Sequence, residues 1–97
     1  MCHVIRFEAD VIRFNGAGGW HGVFLPPDAA SEVRFFGRAN ALGAISVTAQ
    51  TGKSEVRTSL FPDKSRNSFL LPLKSELRRQ EAIQEGDRIT VTLLVDP

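Results

Sequence analysis

Few side chains in this sequence could do chemistry alone, so their spacing has to be weighed. Cys2, His3 and His21 are the soft metal-ligand candidates. Structural zinc takes about four ligands, usually in closely spaced pairs. Adjacent Cys2 and His3 would project from opposite faces of a strand and would not share an ion. Thr51-Gly52-Lys53-Ser54 imitates the end of a phosphate-binding P-loop, but the glycine which that pattern needs earlier is Val47. Both flanks alternate as strands, so a hairpin turn is the better reading. Gly16-Ala17-Gly18-Gly19 suggests a dinucleotide-binding loop, yet the third glycine would fall at His21 and no helix follows. It reads as a hairpin tip. No serine or cysteine sits in a nucleophile elbow or beside an orienting histidine and acid. With both histidines near the N-terminus and no paired-carboxylate signature, an enzyme is disfavoured, and no cofactor is implied.

The basic residues carry more content. Between Lys64 and Arg79 stand Lys64, Arg66, Lys74, Arg78 and Arg79 against Glu76 alone. They could converge on an anion, with Arg57 and Ser59 from a neighbouring strand facing the same place. The plainer reading is a solvated helix face. Trp20, the sole tryptophan, is either a stacking platform for a ligand or a lid on the core, and its place at a strand start favours the core. The candidate binding surface is Trp20, Arg57, Ser59, Lys64, Lys74 and Arg78.

The elements that must position these residues are mostly strands. Ile5, Phe7, Ala9 and Val11 alternate with Arg6, Glu8 and Asp10, and the phase then shifts to Ile12 and Phe14. That predicts one long strand over 3–14 with a β-bulge. Asn15-Gly16 opens a turn, and 20–25 returns as a strand until Pro26-Pro27 stops it. A short helix over 28–33 follows, with Phe35 and Phe36 as its anchors to the core. Strands are predicted around Ile45–Gln50, Val56–Phe61 and Ser68–Leu71, with 62–67 a polar loop. Pro72 is placed in the first turn of a helix whose Leu73 and Leu77 share one side. Glu85-Gly86-Asp87 turns the chain into a last strand, Ile89 to Val95. The segments VFLPPDAASEV and FLLPLKSEL echo each other, which suggests a pseudo-two-fold barrel of two strand–helix–strand units.

Ninety-seven residues make one domain, 1–97. Apolar content of 42% is that of a globular protein, and a net charge of +1 supplies no global field for nucleic acid or an anionic membrane. One cysteine allows no internal disulfide, and the charged start lacks a signal-peptide core. A cytoplasmic setting without membrane insertion is expected.

The segments TSLFPDK, FLLPLKSELRR and EGDRITVTL, preceded by GGW and FLPP, resemble the bacterial family known as domain of unknown function 1905. The resemblance covers nearly the whole chain and implies a small double-split β-barrel capped by short helices, with no established activity. Leu71-Pro72-Leu73-Lys74, a short basic helix and Glu85-Gly86-Asp87 are also similar to the swapped-hairpin barrels of AbrB/MazE-type DNA-binding proteins, over the last quarter only. The expected fold is mainly β, a small closed double-split barrel of about six strands capped by two short helices. The expected function is a non-catalytic binding module, monomer or weak dimer, for a small anionic ligand or a protein partner. Nucleic-acid binding through 64–79 is the alternative, and an enzyme of unknown type comes last.

Overall fold

Period-two alternation dominates the sequence, and the fold follows it. The structure is a computed structural model describing residues 3–14 and 19–95. In chain order it contains β1 (His3–Asp10), β2 (Ile12–Arg13), β3 (His21–Phe24), α1 (Pro27–Phe36), β4 (Ile45–Thr51), β5 (Ser54–Asp63), β6 (Ser68–Pro72), α2 (Ser75–Gln80) and β7 (Arg88–Val95). The strands pair antiparallel in the order β1-β7-β4-β5-β6-β3-β2. The expected turn at Asn15–Gly18 and Cys2 both lie outside the described residues.

The sheet curls into an open half-barrel of seven strands, which corrects the expectation of a closed barrel with six. The reason lies at Val11. In place of one bulged strand, the ladder changes partner there: β1 pairs with β7, whereas Ile12 and Arg13 pair with β3 at the far end of the strand order. Val11 bridges the change with its side chain buried, donating its N–H to Asp87 O (2.8 Å) and accepting from Gly86 N (2.9 Å). One bent segment thus supplies both end strands, and those ends share no ladder.

Alternation puts the core on one face of the sheet. Ile5 faces Leu93 and Phe7 faces Val91 across β1 and β7, while Ala49 and Val47 meet Leu93 and Val95 from β4. All are buried, each large side chain contributing about 1.5–3 kcal/mol. Pro27 begins α1, where its missing N–H costs no hydrogen bond, and Asp28 suits the first turn. The helix buries Ala29, Ala30 and Val33. Phe35 and Phe36 are not its anchors: they are 81% and 39% exposed. Phe35, two residues past Val33, is turned away from the buried stripe, and Phe36 stacks on His3 at 3.7 Å. The corner before α1 is fixed by Ser68, whose buried hydroxyl donates to Leu25 O (2.7 Å).

Pro72 closes β6 opposite Gly22 and does not start a helix. Leu73 N donates to His21 O (2.9 Å) and keeps the chain extended, so α2 begins only at Ser75. At its other end Ile83 N bonds Arg78 O (2.8 Å) and Ala82 N bonds Arg79 O (3.4 Å), a Schellman closure with Ala82 left-handed at φ +54°. No helix among the described residues is long and apolar enough to cross a membrane.

Candidate functional site

A proline creates the opening in this sheet. Phe61–Asp63 of β5 pair with β6, but Ser54–Leu60 pair only with β4. Continued by two residues, the β5–β6 register would set Pro72 opposite Ser59, and proline has no N–H for a ladder. The strands part there, and a hollow of about 560 Å³ lies in the gap. β5 lines it with Thr58, Ser59 and Phe61. The segment leaving β6 contributes Pro72, Leu73, Lys74 and Ser75, α2 adds Arg78, and the start of β3 brings Trp20 and His21.

Its electrostatics are one-sided. Arg78 donates Nε–H to Leu73 O (3.1 Å), which fixes the guanidinium while its terminal nitrogens have no partner among the described residues. Lys74, exposed, has no carboxylate partner there either. The Nδ1 of His21 is buried without a hydrogen bond. Pro72 and Leu73 are buried and give the hollow an apolar portion. Two unpaired cations beside hydroxyls and apolar surface can hold an anion by charge-assisted hydrogen bonds.

A second hollow of about 240 Å³ adjoins the first and shares Thr58, Pro72 and Lys74 with it. Arg57 lines this one, donating Nη1–H to Thr48 Oγ1 (3.1 Å) across the β4–β5 pair. Of the six sequence-derived candidates, Trp20, Ser59, Lys74 and Arg78 thus meet in one hollow, Arg57 lines its neighbour, and Lys64 lines neither. Trp20 is 61% exposed, so the core reading of it is wrong. The run of cations is also divided in space. Arg66 pairs with Asp63 (3.0 Å) and lies over Phe24 (4.0 Å) in the β5–β6 turn. The Ser65 hydroxyl (2.6 Å) and then Arg66 hold the Asp63 carboxyl below its ordinary value.

Sequence reasoning passed over Thr58, Phe61 and Ser75 and treated His21 only as a metal ligand. Phe61 did leave a signal: Leu60-Phe61 puts large apolar groups on both faces of one strand, and only Leu60 is buried. Among the described residues no three His, Cys, Asp or Glu side chains group as a metal site requires.

The P-loop imitation proves to be a hairpin turn between β4 and β5, and it does cradle an anion, the chain's own. Glu81 accepts from Lys53 N (3.3 Å) and from the Ser54 hydroxyl (2.5 Å). Gly52, at φ +58°, makes room, because a Cβ there would run into Glu81 Oε1. This contact ties the end of α2 to the hairpin and so helps set Arg78 at the hollow.

The family described as Domain of unknown function (DUF1905) matches residues 7–93, from β1 into β7. The chain belongs to the DUF1905 family. No curated protein matches it. The DUF1905 match takes in β2 to β6, both helices and the greater part of β7 with half of β1, and every residue that lines the two hollows lies inside it.

Proposed function

We propose that this chain is a non-catalytic binding module, a monomer or weak dimer in the cytoplasm, that takes a small anionic ligand in the hollow where β5 and β6 part. The observation that carries the reading is the pairing of Lys74 and Arg78 in one concave site with no carboxylate between them. Anion sites need such pre-positioned donors. A nucleic-acid reader would need a continuous basic stripe. Here Arg66 is bound to Asp63 and Lys64 lines neither hollow, so that reading has less support.

The test is titration of the full chain with inorganic phosphate and with acetate, followed residue by residue by ¹H–¹⁵N NMR. Shifts are expected to concentrate at Thr58, Ser59 and 74–78, and affinity should fall about tenfold or more in Lys74→Gln/Arg78→Gln, as for loss of charged hydrogen bonds. Shifts spread over the surface, or indifferent to the double variant, would refute the site. A labelled random duplex over a salt series addresses the alternative, since phosphate contacts give steep salt dependence.

A further inference from the structure

Resting on that anion-site reading, we infer that the ligand is a planar aromatic ring bearing one carboxylate or phosphate, with the ring against Trp20 and Phe61 and the anion at Lys74 and Arg78. An inorganic anion would need only the two cations. Yet the hollow also carries Trp20, 61% exposed, and Phe61, 46% exposed, although neither helps to fill the core. Large aromatic surfaces left open to water inside a concavity are what a stacking ligand covers on binding. Aromatic side chains accept any planar ring on their faces, which makes such a platform tolerant of ring type and intolerant of saturated substitutes. Size agrees: about 560 Å³ falls within the range of small-molecule sites and exceeds the needs of a bare anion.

A simple aryl acid and a nucleoside monophosphate share this chemistry, and two matched pairs of compounds separate them. Phenylacetate against cyclohexylacetate replaces the planar aromatic ring by a saturated one and keeps the carboxylate. Adenosine monophosphate against ribose 5-phosphate varies the presence of the base. Calorimetric titration of the full chain should show the aromatic member of a pair binding about tenfold or more tightly, the size of a stacking contact. Quenching of Trp20, the only tryptophan, should accompany it. Preference within the first pair marks an aryl acid, and preference confined to the second marks a nucleotide. Phe61→Ala, at an exposed position, should weaken the aromatic member of a pair more than its partner and so shrink the preference. Equal affinities within both pairs, or a preference indifferent to Phe61→Ala, would overturn the ring assignment and leave the anion site standing. Failure of all four compounds to bind would overturn both.

Discussion

At the scale of single residues, the chain carries a correctable strain at the end of α2. Ala82 occupies the left-handed position of the Schellman closure, where glycine is at ease and an L side chain crowds the backbone. Ala82→Gly should therefore raise stability by roughly 1 kcal/mol. Chemical denaturation would show a higher midpoint at unchanged slope, and a lower midpoint would count against this account. The same residue shows what a sequence conceals. Without glycine after the helix nothing marks the cap, and Gly86 draws the turn reading further along. Lys74 and Arg78 were legible as members of one short basic run, although Lys74 stands on extended backbone just before α2. Lys64 was not, because nearness along the chain says nothing of a β-turn that carries it away from them.

At the scale of elements, the β5–β6 turn is organised by a carboxylate. Asp63 accepts from the Ser65 hydroxyl, from Arg66 N and from the Arg66 guanidinium, and Arg66 in turn covers Phe24. A carboxyl held below its ordinary value of 3.8 adds its full contribution above that value and loses it as pH falls through the lower folded one. The amides of Ser65 and Arg66 should accordingly titrate together with a midpoint under 3.8, followed by NMR. Asp63→Asn should abolish the transition, and a midpoint at or above 3.8 would contradict it. The strands themselves were legible from alternation alone, Ile45–Thr51 and Arg88–Val95 most plainly. Pro72 was misplaced because leucine followed by proline suits the first turn of a helix as well as the last rung of a ladder. Only the register against Gly22 decides between them.

At the scale of the whole molecule, protection should grade across the sheet. β7 is paired along its length with β1 and over Thr92–Val95 with β4, and it holds Val91, Leu93 and Val95 in the core. β2 is two residues long and pairs on one side only. Hydrogen exchange should be slowest at Thr92–Val95 and fastest in β2, and the reverse order would mean that the sheet opens from its middle. Closure of the sheet was the part of the fold least available from sequence. Alternation names an inner face, but open and closed sheets share that pattern, and the outcome turned on one change of partner at Val11. That change also concentrates a hazard. Unpaired sheet edges invite other chains to add on and seed aggregates, and both edges here belong to residues 3–13. Arg6, Glu8 and Asp10 line one edge strand and Arg13 the other, all exposed, so a single short run of charges acts as gatekeeper for both rims.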